Sequence, residues 1–303
     1  MPTTYIPTIK HEKAHDDSIW CVAWSKSTNL IASGSIDNKI KIWDGASGEL
    51  KYTLTNHTLG IISLDFSTDG TKLVSSSMDS TLRIWDMDKG ECIQTLTIPP
   101  VEAWTARFHP NGEIIATGSY DGHINLYNIQ SGEKVESLTT KHSFIMCTAF
   151  SGDGVYLAGG AADGSIYVFN MESNQLIHTL STHSMAVRSL SFAPDNKTLI
   201  SGSDDKCVHV YDVEHGQLAS ALTGHAGWVL SVAANPDMNK QQVASGSSDN
   251  KIKIWDLATR SVIETQEVHS DQVWSLAWNP EGTKFVSISD DGSIQWFASS
   301  GSS

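Results

Sequence analysis

Several features that mark other classes of protein are scarce in this chain of 303 residues. Its four cysteines, Cys21, Cys92, Cys147 and Cys207, lie far apart without C-x-x-C spacing, which predicts reduced thiols in the core and neither a disulfide framework nor a zinc site. No stretch approaches the roughly 18 consecutive apolar residues of a membrane span, and the N-terminus lacks the apolar core of a signal peptide. We therefore expect an intracellular protein that makes no membrane contact.

Positive charge is also scarce. The chain has 20 Lys and Arg against 34 Asp and Glu, which gives a net charge of −14. The basic residues are scattered singly, so the molecule as a whole would repel a phosphate backbone. With 40% hydrophobic and 18% charged residues the composition is that of a globular protein. We expect a large core and no direct contact with nucleic acid.

A repeated stretch organises the chain. Its first copy, from Ser33 to Asp44, reads S-G-S-I-D-N-K-I-K-I-W-D. Seven copies close on an aromatic residue at intervals of 42, 42, 42, 42, 44 and 42 residues: Trp43, Trp85, Tyr127, Phe169, Tyr211, Trp255 and Phe297. Six residues earlier stand Asp37, Asp79, Asp121, Asp163, Asp205, Asp249 and Asp291. A period this regular predicts one array of stacked modules, which we place at residues 1–298, followed by a flexible tail at 299–303.

Each repeat divides into four short runs of alternating polarity. In the first repeat these runs extend from Ser18 to Trp24, Leu30 to Ser35, Lys39 to Trp43 and Glu49 to Leu54. Alternation with period two predicts half-buried strands, and the turn residues between the runs predict hairpins. No run has the length or period of a long helix. The sequence therefore predicts an all-β chain of four-stranded antiparallel sheets.

Three markers recur in the repeats: a His before the first run, an Asp in the turn of the central hairpin and, in repeats one, two and six, a closing Trp-Asp pair. This pattern resembles the WD-repeat family, and it covers nearly the whole chain. The His recurs as His15, His57, His142, His183, His225 and His269, whereas the third repeat has Pro99 and Pro100 at that place. The resemblance implies a seven-bladed β-propeller, in which four-stranded blades surround a central channel.

The seventh repeat lacks an outer strand of its own. After Phe297 only six small or polar residues remain, whereas residues 4–10 form a strand-like run that belongs to no repeat. We expect residues 4–10 to complete blade seven. Pairing the two chain ends in this way closes the ring and leaves only short, protected sheet edges.

The repeated polar residues could be mistaken for catalytic groups. Because each set recurs once per blade, its members cannot converge on one substrate or metal, and we predict no catalytic residue, no metal site and no cofactor. The resemblance implies instead a hydrogen-bonded network inside each blade, completed by a Ser or Thr of the second strand. The predicted network residues are His15, Asp37, Trp43, His57, Asp79, Trp85, His183, Asp205, His225, Asp249 and Trp255. A formal H-E-x-x-H at residues 11–15 lacks the helix that zinc binding by this motif requires.

One position of the first strand varies between repeats: it reads Trp20, Ile62, Trp104, Met146, Arg188, Leu230 and Trp274. Core packing does not dictate so mixed a set. In a propeller this position falls at the mouth of the channel, on the face that carries the hairpin Asp. We predict a partner-binding surface there, made by Trp20, Ile62, Met78, Trp104 and Tyr120, with Trp228 and Trp274 across the channel. The alternative is that these side chains pack between blades as the top of the core.

Acidic residues accompany the predicted surface: Asp17, Glu102, Asp204, Asp271 and Asp290. Aromatic side chains can bury an apolar anchor, and carboxylates can pair with a guanidinium. The face therefore suits a partner segment that combines an apolar residue with an Arg.

Within the WD-repeat family, the chain is similar to the small subunit shared by the superkiller complex of cytoplasmic RNA decay and the RNA polymerase II-associated Paf complex. The similarity rests on residues 14–20, 100–104, 224–230 and 271–274. It implies a non-catalytic scaffold, monomeric on its own and present in nucleus and cytoplasm. Its implied partners are the helical-repeat subunit of the superkiller helicase complex and subunits of the Paf complex, in mRNA decay, transcription elongation and histone modification.

Two alternatives stay open. A substrate receptor of a ubiquitin ligase often carries Arg or Lys two places after the Asp of Trp-Asp, where this chain has Ala46, Asp88 and Ala258. A propeller enzyme would place convergent polar groups at the channel mouth, where the sequence places mostly apolar ones. Both patterns favour the scaffold.

Overall fold

The computed structural model describes residues 3–99, 103–141 and 143–300, and within these ranges the chain forms 28 strands and no helix. No helix long and apolar enough to cross a membrane is therefore found in the described part of the chain. The strands form seven sheets of four strands each.

Each sheet is one blade of four strands. Blades one to three comprise β2 (Ile19–Trp24), β3 (Leu30–Ser35), β4 (Ile40–Asp44) and β5 (Leu50–Leu54); β6 (Ile61–Phe66), β7 (Lys72–Ser77), β8 (Thr81–Asp86) and β9 (Glu91–Thr97); and β10 (Thr105–Phe108), β11 (Ile114–Gly118), β12 (His123–Asn128) and β13 (Lys134–Thr139). Blades four and five comprise β14 (Ile145–Phe150), β15 (Tyr156–Ala161), β16 (Ile166–Asn170) and β17 (Gln175–Leu180); and β18 (Val187–Phe192), β19 (Thr198–Ser203), β20 (Cys207–Asp212) and β21 (Gln217–Thr223). Blades six and seven comprise β22 (Val229–Ala234), β23 (Gln242–Ser247), β24 (Ile252–Asp256) and β25 (Ser261–Gln266); and β26 (Val273–Trp278), β27 (Lys284–Ser289), β28 (Ile294–Ser299) and β1 (Tyr5–His11).

The sheets are arranged as a closed ring. Within each sheet the strands pair in chain order, except that β1 lies outside β28 in the seventh. The first strand of each repeat is innermost and contacts the inner strands of both neighbouring blades, with β26 against β2 at the point of closure. The predicted all-β, seven-bladed propeller of four-stranded antiparallel blades is confirmed.

The N-terminal strand closes the ring. β1 pairs antiparallel with β28, from Tyr5 opposite Ser299 to His11 opposite Ile294. The Tyr5 side chain is fully buried, its hydroxyl donates to Gln242 Oε1 at 2.9 Å, and its ring centroid lies 5.1 Å from that of Trp278. Closure by the N-terminal run is therefore confirmed, and the strand begins and ends one residue later than predicted.

The predicted tail starts at residue 299, which the structure places in the last strand. β28 continues to Ser299, and the backbone N–H of Ser300 donates to the carbonyl of Thr4 at 2.9 Å. The placement of residue 299 in a tail was wrong, because the closing strand offers backbone acceptors that extend the ladder past Phe297. Residues 301–303 of the expected tail lie outside the described residues.

The apolar core lies between neighbouring blades. One cluster, for example, joins Ile42 and Leu54 of blade one to Ile61 and Trp85 of blade two. Close approach requires glycine at Gly34, where a Cβ atom would lie 2.6 Å from Ile61 Cγ2. All four cysteines are free, with Cys21 and Cys147 buried in this core and the other two partly buried.

We expect deletion of residues 1–10 to expose the β28 edge and orphan the partners of Tyr5. The truncated protein should melt at a lower temperature and aggregate, because an unpaired edge strand recruits other chains. Scanning fluorimetry and light scattering measure both effects, with deletion of residues 1–3 as the control. An unchanged melting temperature on removal of residues 1–10 would contradict the stabilising role of β1.

Candidate functional site

Blade one shows how the repeated polar residues are connected. Trp43 Nε1 donates to Ser33 Oγ at 2.8 Å, and Ser33 Oγ lies 2.8 Å from His15 Nε2. The other nitrogen of that ring, Nδ1, lies 3.0 Å from Asp37 Oδ2. Because an indole can only donate and a carboxylate can only accept, Trp43 donates to Ser33 Oγ and His15 donates from Nδ1 to Asp37.

The Asp of the network is held ionised. Burial would raise the pKa of the Asp37 carboxyl, but hydrogen bonds from His15 and from two backbone N–H groups outweigh burial and lower the pKa to about 2. The backbone donors belong to Asp16, next to the His, and to Lys39, in the hairpin. One carboxylate thus joins the loop before the inner strand to the turn of the central hairpin.

The same contacts recur in other blades. In blade two His57 lies 2.8 Å from Asp79 and 2.7 Å from Ser75. In blade five His183 lies 2.7 Å from Asp205 and 2.6 Å from Ser201. In blade six His225 lies 2.9 Å from Asp249 and 2.7 Å from Ser245. Trp85 and Trp255 donate to their Ser at 2.8 and 2.7 Å. Burial lowers the pKa of His57, His183 and His225, which keeps these rings neutral.

Blades three, four and seven depart from this pattern. In blade three Asp121 contacts Ser119 and His123 and is largely exposed. In blade four Phe169 replaces Trp, and the expected His142 lies outside the described residues. Blade seven keeps His269 against Ser287 at 2.6 Å and Asp291 at 3.3 Å, with a buried Phe297 in place of the Trp.

Blade five contains a second buried histidine. Tyr211 replaces the Trp, and its hydroxyl lies 2.7 Å from Thr182 Oγ1, which lies 3.0 Å from His209 Nδ1. The His209 ring stacks on His183, with centroids 3.8 Å apart and planes inclined by 10°. Burial, with His183 alongside, lowers the pKa of His209 to about 4.

Two sets of residues could be considered for a metal. His183, Asp205 and His209 place ligand atoms within 4.8 Å of one another, but parallel stacked rings direct their nitrogen lone pairs in parallel, so both cannot point at one ion. In the H-E-x-x-H segment, His11 ends a strand and its Nε2 lies 2.9 Å from the Gly48 carbonyl, while His15 belongs to the blade-one network. Neither set has the geometry of a zinc site.

The variable position of the inner strand is a β-bulge. In blade one Ile19 pairs with Ser35 and Cys21 with Gly34, so Trp20 is an extra residue without a partner in the ladder. The same shift leaves out Ile62, Met146, Arg188, Leu230 and Trp274. Trp104 directly precedes β10. A bulge frees a side chain from the pleat and re-aims it, and these seven residues all line the upper channel.

The two channel tryptophans at the closure are neighbours. Trp20 and Trp274 have ring centroids 5.5 Å apart, inclined by 34°, because blade seven adjoins blade one. The expectation that Trp274 lies across the channel from blade one was therefore wrong. Both rings are partly buried, and Trp274 also packs against the core between these blades.

Blades two to four carry an exposed apolar surface. Trp104 packs edge-on against Phe144 at 5.4 Å, and Tyr120, which is 64% exposed, lies 5.4 Å from the same ring. Leu59 and Met78 are exposed by 50% and 41%. Ile62 is partly buried at the channel wall. We call Leu59, Met78, Trp104, Tyr120 and Phe144 the aromatic surface.

Blades five and six present a different arrangement. Arg188 makes a bidentate pair with the buried Asp204, at 2.8 and 2.7 Å. The guanidinium lies 5.9 Å from the ring centroid of Trp228, which is 45% exposed. The sequence analysis offered Asp204 as a partner for an incoming Arg. The structure shows that Asp204 is already paired with Arg188 and is not free for that role.

The sequence interpretation missed Phe144 and Met185, both at the mouth of the channel. They occupy one column, two residues after the His of their repeats, which reads Asp17, Leu59, Phe144, Met185, Gly227 and Asp271 where a His is present. This column is as mixed as the bulge position. Comparing it between repeats would have identified Phe144.

The fold and its blade networks define a class of protein: a seven-bladed propeller whose blades are locked by His, Asp, Ser and Trp. A family model described as "Echinoderm microtubule-associated protein first beta-propeller" matches residues 8–252, and one described as "WD domain, G-beta repeat" matches residues 260–298. The chain belongs to the WD-repeat β-propeller family.

Curated relatives match the chain over short segments. It is 39% identical over 70 residues to "Nuclear distribution protein PAC1" of Ajellomyces capsulatus, 36% over 66 residues to "WD repeat-containing protein SL1-17" of Schistosoma mansoni, and 40% over 67 residues to "Nuclear distribution protein nudF" of Aspergillus oryzae. The segments shared with PAC1 and with nudF each cover 22% of this chain and 15% of the relative. The segment shared with SL1-17 covers 20% of this chain and 22% of the relative. The chain thus spans less than a quarter of the length of each of these relatives.

Replacing Trp255 by Ala should destabilise the protein by about 3 to 5 kcal/mol, because it removes a buried ring and leaves Ser245 without its donor. Chemical denaturation measures the change. The matched control is Trp228→Ala, in which the same side chain is exposed. Equal stabilities for the two variants would show that the network does not hold blade six.

Acid should weaken the fold through His209. An unfolded His binds its proton near pH 6.5, whereas folded His209 resists protonation until about pH 4, so the unfolded state gains protons first and stability falls as pH drops between these values. His57, His183 and His225 act in the same direction. His209→Gln, which copies Gln295 of blade seven, should reduce the loss by up to about 3 kcal/mol.

Denaturation curves from pH 7 to pH 4 measure this effect. The control is His215→Gln, because His215 is exposed and Asp212 raises its pKa, so its loss cannot flatten the acid limb. A His209→Gln curve parallel to that of the unchanged protein would refute the assignment.

Proposed function

We propose that this protein is a non-catalytic scaffold that binds segments of other proteins at the mouth of its channel. The observation that carries the proposal is the aromatic surface, where Leu59, Met78 and Tyr120 are exposed and the partly buried rings of Trp104 and Phe144 pack together beside Tyr120. Contiguous exposed apolar surface of this kind is a property of interaction sites. Binding of proteins through such a face agrees with the family.

The structure separates two possible anchors for a partner. Tyr120 and Trp104 share Phe144 as a common floor, so an apolar partner residue can bury against all three rings. Trp20 of blade one and Trp274 of blade seven form a second pair, at the closure of the ring. The aromatic surface is the better anchor, because Tyr120 is far more exposed than either member of that pair.

Carboxylates near the Trp20–Trp274 pair could receive a basic partner residue. Asp17 and Asp271 are exposed in the loops before β2 and β26, and Asp290 is half-buried in a hairpin turn. None of these three has a Lys or Arg within ion-pair distance among the described residues. Glu102, the fifth acid of the predicted face, lies outside the described residues. A partner segment with one apolar residue and one Arg fits this arrangement.

We propose further that the protein serves as the small WD-repeat subunit of the superkiller and Paf complexes, in the cytoplasm and the nucleus, and that it is monomeric on its own. The support is the similarity of residues 14–20, 224–230 and 271–274, which hold Trp20, Trp228 and Trp274. The printed names of the matched relatives, nuclear distribution proteins among them, do not refer to either complex. Membership of the two complexes therefore has to be tested by identifying the proteins that bind this chain in the cell.

The test couples partner identification to the aromatic surface. Affinity purification with mass spectrometry, from cells that express the unchanged chain or Tyr120→Ala, should recover subunits of the superkiller helicase complex or of the Paf complex with the first and lose them with the second. With the purified partner, Tyr120→Ala and Trp104→Ala should each weaken binding about thirtyfold, equivalent to roughly 2 kcal/mol. Calorimetry measures this change.

The matched control is Tyr52→Ala. Tyr52 is an exposed tyrosine on the outer strand of blade one, away from the channel mouth, so partner binding should be unaffected. Melting temperatures are compared in parallel. Retained binding by Trp104→Ala, together with a large fall in its melting temperature, would make that residue part of the core. Recovery of ubiquitin-ligase subunits would contradict the proposed complexes and leave the scaffold role standing.

A further inference from the structure

The upper channel differs in charge from the rest of the molecule. Below the mouth lies a cavity of about 170 Å³ lined by residues of all seven inner strands. Its described lining contains two arginines, Arg107 and Arg188, and no carboxylate, although acidic residues outnumber basic ones by 34 to 20 in the chain. The same lining includes the bulge residues Trp20, Trp104 and Trp274 of the channel mouth.

Arg107 stands where the other inner strands carry small or acidic residues: Ala23, Asp65, Ala149, Ser191, Ala233 and Ala277. All hydrogen bonds from Arg107 to described residues start at one nitrogen, Nη1. It donates at 2.9 Å to Ser63 Oγ and to the carbonyls of Leu64 and Ala106. A guanidinium has five N–H donors in a planar fork. These bonds fix the position of the group and leave the donors on Nε and Nη2 available to a ligand.

No carboxylate of the described chain lies within ion-pair distance of Arg107, and Asp65 interacts with it only over a longer distance. Asp65, on the adjacent strand, is not within ion-pair distance; one of its oxygens accepts from the Phe108 backbone at 2.8 Å, and burial raises the pKa of its carboxyl. Arg188, by contrast, is paired with Asp204 through two hydrogen bonds. Arg107 is therefore the arginine of the cavity without an ion-pair partner among the described residues.

The remainder of the lining can donate without adding negative charge. Six hydroxyl side chains face this level of the channel: Ser63, Thr105, Thr148, Ser189, Ser231 and Ser275. The two thiols are neutral, because burial raises the pKa of both Cys21 and Cys147 to about 12. Ser63 and Ser189 already donate to the carbonyls of Ala106 and Val232, and Thr105 and Thr148 bond to each other. The hydroxyls of Ser231 and Ser275 remain as neutral donors beside the guanidinium, and such a set suits an oxyanion.

We propose that this cavity binds a small tetrahedral oxyanion of the phosphate or sulfate class, with Arg107 as its charge partner and the hydroxyls as neutral donors. The volume admits such an ion, whereas sites for larger organic ligands occupy about 300 to 1,000 Å³. The oxyanion could be a free ion or the phosphate of a phosphorylated side chain that enters through the mouth.

Calorimetric titration of the purified protein with sodium phosphate tests the proposal, with sodium chloride at equal ionic strength as the reference. Binding of phosphate should also raise the melting temperature by about 2 °C at roughly ten times Kd. Arg107→Gln should weaken binding at least about tenfold. Lys26→Gln removes the same charge from an exposed residue at the opposite mouth and should leave binding unchanged.

A response to phosphate no larger than the response to chloride would overturn the proposal, as would unaltered phosphate binding by Arg107→Gln. If that variant does not fold, Ser275→Ala replaces it, and unchanged binding by this variant would also overturn the proposal. Titration with O-phosphoserine separates the two sources: tighter binding than inorganic phosphate indicates a phosphorylated side chain, and weaker binding indicates the free ion. The experiment uses no protein partner, so its failure leaves the scaffold proposal untouched.

Discussion

The hydrogen-bonded chain from Trp to Ser to His to Asp is the interaction on which the channel mouth depends. It joins the third strand, the second strand, the loop before the inner strand and the hairpin turn of one blade. Its two ends are fixed, because the indole can only donate and the carboxylate can only accept. Burial lowers the pKa of His57 and His225, and in the neutral ring Nε2 accepts from the Ser hydroxyl. The loops around the mouth are thus held by the blade interior.

Variation is confined to positions that this network leaves free. The bulge residue stands within a few residues of the anchored His, outside the ladder of its strand, and the residue two places after the His lies in the loop that the Asp carboxylate fixes. The bulge residue changes from Trp to Ile or Arg, and the residue two places after the His changes from Asp to Leu or Phe, without disturbing the sheet. A rigid frame with variable side chains at its rim is what a recognition surface requires.

The seven blades and their closure could be predicted because strand number, turn position and network residues repeat with a fixed period. The adjacency of Trp20 and Trp274 also follows from ring order, but it was overlooked. The bulges were not predicted, although the extra residue shifts the alternation so that two consecutive residues after it are buried in β2 and β6. The His183–His209 stack lies beside Tyr211 of blade five, and such packing between strands cannot be read from the repeat pattern.

Much of the acidity of this protein belongs to its fold. Seven hairpin carboxylates are fixed by the repeat, and Asp44, Asp86, Asp212 and Asp256 accept backbone N–H groups in the turn after the closing aromatic. Asn128 and Asn170 make the same turn contacts without charge, so the oxygen acceptor and not the charge is needed there. Net charge therefore says little about partners. Selectivity must rest on acids outside the repeat pattern, such as Asp17 and Asp271 at the channel mouth, and on which bulge residues stand beside them.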